Sequence, residues 1–145
     1  MRIQHATLAL VLTCFATATA CSAADTSPPA ASPAALRVSS SAGRDVLADS
    51  AGNSLYAFAK DSPGTSACVG DCLAKWPVLP GPVIAGPGVA ADKITTITRP
   101  DGTAQAAYAG RPLYYFAADS APGDARGHGL MGAWHLIGAD GQPVP

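Results

Sequence analysis

Residues 51–62 read Ala-Gly-Asn-Ser-Leu-Tyr-Ala-Phe-Ala-Lys-Asp-Ser, and residues 109–120 read Ala-Gly-Arg-Pro-Leu-Tyr-Tyr-Phe-Ala-Ala-Asp-Ser; eight of the twelve positions agree. Trp76 and Trp134 stand at the same offset of 58 residues. Chance aligns a few alanines in an alanine-rich chain. It does not also align Leu55 with Leu113, Tyr56 with Tyr114, Phe58 with Phe116, Asp61 with Asp119 and Trp76 with Trp134. Self-similarity at a fixed spacing marks one supersecondary unit used twice.

Each unit reads as β structure. In the first, residues 36–40 form a strand, Ala42-Gly43-Arg44 turns the chain, residues 45–48 return, and Gly52-Asn53 is a hairpin signal. Residues 54–58 then carry Leu55, Tyr56 and Phe58, side chains suited to a pleated, half-buried surface. The second unit repeats the plan with residues 94–98, the turn Pro100-Asp101-Gly102, residues 104–108, a turn at Gly110-Arg111-Pro112, and the aromatic strand 113–116. Trp76-Pro77-Val78-Leu79 and Trp134-His135-Leu136-Ile137 read as closing strands, giving four antiparallel strands per unit. Asp61 and Asp119 sit where each aromatic strand enters a glycine-bearing loop, placed to accept backbone N–H groups. A unit of this size cannot bury its apolar face alone. The expected fold is therefore all-β: two tandem antiparallel β-meander repeats packed as a small pseudo-symmetric sandwich. Repeat one spans about 36–79 and repeat two about 94–137. They are joined by a linker, 80–93, whose Pro-Gly-rich start excludes helix and central strand.

Upstream of this duplicated domain (36–145) the chain carries addressing information. Arg2 is followed by fifteen uncharged residues, 6–20, too few for a membrane span, which needs about 20. The run ends in small residues, as a signal peptide over 1–20 does. Ala18-Thr19-Ala20 suits ordinary signal peptidase, and Cys21 directly after it occupies the position of a lipid-bearing cysteine. Residues 21–35 then form a Ser/Ala/Pro tether, with too little apolar content to offset the entropy of ordering. A lipidated Cys21 followed by a tether predicts a domain anchored in the cell envelope. In a cell with two membranes, Ser22 predicts the outer membrane, facing the periplasm or the surface. The membrane is thus the one partner read directly, with other envelope components as candidates.

Beyond Cys21 the chain holds eight Lys/Arg against ten Asp and no Glu, a net charge of −2. This composition supplies no basic patch for nucleic acid and no acidic tail.

The same residues resemble a bacterial family of secreted-repeat lipoproteins whose hallmark is Tyr-x-aromatic-x-x-Asp. The motif stands here as Tyr56-Ala57-Phe58-Ala59-Lys60-Asp61 and as Tyr114-Tyr115-Phe116-Ala117-Ala118-Asp119. Gly64, Ser66, Cys68, Gly70, Cys72, Trp76 and Pro77 are similar to the family's continuation of the first motif. Gly110 to Tyr114, then Pro122-Gly123-Asp124, Gly127, Gly129 and Trp134, are similar to that of the second. The resemblance covers about residues 45–137, with departures at Leu73, where the family has Ala, and at His128, where it has Gln. It implies an envelope location and a fold class, and no reaction.

Four sets of side chains are candidates for chemistry. Cys68 and Cys72 are the cysteines left once Cys14 and Cys21 are set aside; an even pair in an exported protein is commonly a disulfide, the alternative being a redox or metal pair. His128, Met131 and His135 fall within eight residues and have ligand types that suit copper, but no second cluster completes a four-ligand site. Asp61 and Asp119 could act as a carboxylate pair, though their repeat-matched places beside aromatics favour capping. Tyr56, Tyr114 and Tyr115 could line a groove between units, with core packing the commoner use. There is no Gly-x-Ser-x-Gly and no nucleophile beside an identifiable base. The expectation is a non-enzymatic envelope module without a cofactor, binding or structural in role. The alternative is a periplasmic thiol-redox or copper-handling protein.

Overall fold

The computed structural model describes residues 33–145; the signal segment, Cys21 and nearly all of the tether lie outside the described residues. Strand β1 (Ala35–Ser41) turns at Ala42-Gly43 into β2 (Arg44–Ala48). Both turn residues have positive φ, 51° and 72°, the requirement of a two-residue hairpin whose twist matches its strands. The pairing sets Val38 opposite Leu47 and Ser39 opposite Val46. On its other edge β1 pairs in parallel with a two-residue strand from the linker, β4 (Ile84–Ala85). In repeat two, β5 (Ile94–Thr98), β6 (Ala104–Tyr108) and β7 (Arg111–Pro112) form an antiparallel meander. Asp101 Oδ1 accepts from the N–H and hydroxyl of Thr103 and so fixes the turn between β5 and β6.

The two repeats meet in a central ladder. Strand β3 (Tyr56–Phe58) lies antiparallel to β8 (Trp134–Leu136), with Phe58 opposite Trp134 and Tyr56 opposite Leu136. On the other side of β3, Tyr56 and Tyr114 exchange both backbone hydrogen bonds, at 2.9 and 3.0 Å. Residues 75–79 then run along 113–117: Leu79 N–H donates to Leu113 O at 3.0 Å, and Ala117 N–H donates to Lys75 O at 2.9 Å. The same two bonds recur with the repeats interchanged, as Ile137 N–H to Leu55 O and Ala59 N–H to Ala133 O. A local twofold axis therefore passes between Tyr56 and Tyr114.

This arrangement keeps the all-β tandem-repeat fold and corrects one expectation within it. The closing segment of each repeat does not complete its own meander; it pairs with the aromatic strand of the other. The physical gain is a shared interior. Alternation along the ladder sends Leu55, Ala57, Leu79, Leu113 and Ile137 to one face and Tyr56, Trp76, Tyr114, Trp134 and Leu136 to the other. One face thus packs an aliphatic core against Leu36, Leu47 and Tyr108. The other packs an aromatic core, and both repeats contribute to each. Two cores split by repeat would each be smaller and bury a lower fraction of their surface. The linker joins in as well: Val83 is buried in the aliphatic cluster. No helix among the described residues is long and apolar enough to cross a membrane.

Candidate functional site

The aromatic face of the central ladder gathers every motif residue. Trp76 and Trp134, one from each repeat, stack at 3.7 Å between centroids with planes 3° apart. Phe58 stacks on the outer side of Trp134 at 4.3 Å, and Phe116 lies on the outer side of Trp76 at 4.5 Å. The result is a row of four rings, Phe58, Trp134, Trp76 and Phe116, ordered by the local twofold axis. The rings of Tyr56 and Tyr114 stand close to perpendicular to those of Trp76 and Trp134, at 5.4 and 5.2 Å between centroids, the electrostatically preferred contact. The tyrosines and tryptophans are buried, and Phe58 and Phe116 are both half-buried. Burial is thus matched across the repeats, but the two phenylalanines close the edge of the core and are not enclosed by it.

The tyrosine and aspartate of the motif are linked across the repeats. Tyr56 Oη donates to Asp119 Oδ2 at 2.6 Å, and Tyr114 Oη donates to Asp61 Oδ2 at 2.8 Å. The second oxygen of each carboxylate caps its own loop, Asp61 Oδ1 accepting from Ala67 N–H and Asp119 Oδ1 from Arg126 N–H. Burial pushes the Tyr114 phenol up to about 12, and the charge of Asp61 adds to the rise. Tyr56 is raised further, again by burial first and then by its bond to Asp119. Asp61 itself is raised by burial, against the opposing pull of Ala67 N–H, Tyr114 and Arg99.

The loops that follow the motif differ between repeats. In repeat one, Cys68 and Cys72 form the expected disulfide, with Cα atoms 5.4 Å apart, and Cys68 is fully buried. The bridge spans the start of α1 (Asp71–Lys75), whose acidic first residue and basic last residue both suit the helix dipole. In repeat two the cap falls on Arg126, 59 residues after Ala67, so Gly127 occupies the place of Cys68; a register of 58 would set Arg126 there. Gly127 is required by proximity: a Cβ there would lie 2.7 Å from the Trp76 ring.

Arg99 is the chemically important residue that sequence reasoning missed. It is buried, and its guanidinium donates to Ser66 Oγ, Gln105 Oε1 and Cys68 O, each at 2.7 Å, with Asp101 at 3.8 Å as its ion-pair partner. Ser66 Oγ lies 2.6 Å from Tyr114 Oη, so the cation holds the disulfide loop against the motif of the opposite repeat. Asp49 was also missed. It is buried, accepts two bonds from Asn53 and one from the Tyr115 hydroxyl, and pins the Gly52-Asn53 turn. Tyr115 lies beside a polar cavity of about 300 Å³ shared with Asp49 and Asp119, and is raised by burial and then by the charge of Asp49.

Of the copper candidates, His128 and His135 are neighbours. The rings of His128 and His135 lie 5.8 Å apart, edge to face. His128 Nδ1 accepts from Leu136 N–H at 3.3 Å and is thereby engaged. Met131 stands 88% exposed and lines a groove with Trp76 and Trp134. Among the described residues no group of three or more His, Cys, Asp or Glu is placed to hold a metal ion.

Two grooves run along the outer edge of the ring row. One, of about 400 Å³, is lined by Trp76, Phe116, Leu130, Met131, Lys75 and the Ala117-Ala118 turn. The other, of about 320 Å³, is lined by Phe58, Trp134, Ala133 and Cys72, with Lys60 and Asp71 at its rim; Lys75, Trp76 and Met131 belong to both.

A family model described as a secreted repeat of unknown function matches residues 38–79 and, a second time, residues 95–137. No curated protein and no solved structure matches the chain.

Proposed function

The chain belongs to the family of secreted repeats of unknown function, and from that premise we propose that it is a non-enzymatic binding module of the cell envelope, anchored to a membrane by lipid on Cys21. The observation that carries the reading is the division of labour on the aromatic face. The motif's ionisable side chains are spent inside the fold: Asp61 and Asp119 use both oxygens for a loop and a tyrosine, and both hydroxyls are engaged. What remains open at the same place is an apolar groove over the ring row. A mostly apolar concavity with few polar groups is a common form for binding sites. The disulfide and Arg99 make one wall of it rigid. Ser22 supports the outer membrane where the cell has two.

Native extraction from the envelope, followed by mass analysis of what co-purifies, tests both parts. Cys21→Ser should move the protein to the soluble fraction, and a variant that stays membrane-bound with unchanged mobility removes the anchor. Met131→Asp, at an exposed position, should keep the fold and lose the co-purifying component. Stoichiometric copper lost in His128→Ala would replace this reading with the copper-handling one.

A further inference from the structure

Resting on the binding-module reading, we propose that the groove beneath Met131 takes a small amphiphilic anion, a carboxylate on a flat aromatic or short acyl body. Three observations converge on this class. The first is size: grooves of about 400 and 320 Å³ that share Trp76, Lys75 and Met131 suit one compact ligand. The second is charge. In the larger groove the one charged lining group is Lys75, and its ammonium has no ion-pair partner among the described residues. An apolar body with one negative group complements that arrangement.

The third observation is which part of each ring is available. Trp76 and Trp134 consume their faces on one another and on Phe58 and Phe116. A ligand that stacks on an open ring face, as a sugar does, finds no tryptophan face here. The tryptophans are buried and the half-buried Phe58 and Phe116 close the row, so what the groove presents is an apolar wall. The apolar wall and the ammonium together favour an apolar body that bears one negative group.

Met131 supplies the adjustable wall. Its φ is 56°, between Gly129 at 76° and Gly132 at 61°, and a side chain in that region is strained. The loop holds a soft, polarisable thioether out over the rings against its own backbone preference, where it adapts to the shape beneath.

The test uses the folded chain with 2-naphthoate, the neutral 2-naphthylmethanol and the cationic 2-naphthylmethylamine as probes. The indole N–H signals of the two tryptophans report binding by NMR. Naphthoate should shift both signals and bind about fivefold more tightly than the alcohol, the scale of one exposed ion pair. Lys75→Gln should abolish that difference and leave alcohol binding unchanged. Met131→Gly should weaken both probes while raising the melting temperature, because glycine removes the strain. Equal binding of carboxylate and alcohol, tighter binding of the amine, or shifts confined to other residues would overturn the assignment. Failure of all three probes, with the native co-purifying component still lost in Met131→Asp, would reject the ligand class and leave the binding module standing.

Discussion

Phe58 and Phe116 end the ring row at equivalent places, and their half-burial sets what each contributes. A fully enclosed phenylalanine costs about 3–5 kcal/mol when cut to alanine. Here part of each ring already faces water, so Phe58→Ala and Phe116→Ala should each cost about 1–3 kcal/mol, from partial apolar burial plus one stacking contact. Denaturant unfolding should give two similar values; a difference above about 1.5 kcal/mol would break the equivalence of the repeats. Asp61 acts in the opposite sense with pH. Its carboxyl is raised above the ordinary 3.8, chiefly by burial. A group raised in the fold favours folding in full below its unfolded value, and that contribution is lost as pH rises through its folded value. Asp61→Asn removes this titration. The wild type's lead in melting temperature over the variant should therefore shrink as pH climbs from about 4 towards 7. A lead that grows across that range would show that the charged form is the one the fold favours.

At the scale of elements, the exchange between repeats is the feature to measure. Tyr56→Phe and Asp119→Asn should show a coupling energy of about 0.5–1.5 kcal/mol in a double-mutant cycle, as partners in one partly buried hydrogen bond do. Tyr56→Phe and Asp61→Asn share one motif in the chain but no bond, and should add to within about 0.5 kcal/mol. Coupling within the motif and not across it would contradict the crossed pairing. The same elements separate what the residues disclose from what they conceal. The duplication, the aromatic strand β3, the turns at Gly43 and Gly102 and the disulfide were legible, because identity at a fixed spacing, period-two alternation and turn chemistry can be read directly from the residues. The crossing was not. With Tyr-x-aromatic-x-x-Asp written twice, Tyr56 finds a chemically identical aspartate in either copy, and only three-dimensional closure chooses Asp119. Arg99 escaped for a different reason: it stands before a strong turn signal, and nothing in the other repeat matches it. The exposure of the Phe58 and Phe116 edges was hidden too, since an aromatic in a strand does not reveal where the sheet's covered face stops.

At the scale of the molecule, one interior serves both repeats, so neither should be self-sufficient. Residues 36–90 and 91–145, expressed apart, should each lack a cooperative monomeric transition, because β3 then has no β8 and residues 113–117 have no 75–79. Mixed, the halves should form a complex with a dispersed NMR spectrum. A half that unfolds cooperatively as a monomer would show two independent domains. The crossed bonds also order events in time. Tyr114 reaches back 53 residues to Asp61, Tyr56 reaches forward 63 to Asp119, and in the ladder Tyr56 pairs with Leu136, 80 residues on. Contacts of such long sequence separation form late and slowly. A nascent chain cannot close its central ladder until residue 136 is available, so the repeats stay threadable until then. If this secreted repeat crosses a membrane as an unfolded chain, the delay keeps it competent for transport, and the native state becomes reachable only once both repeats have crossed.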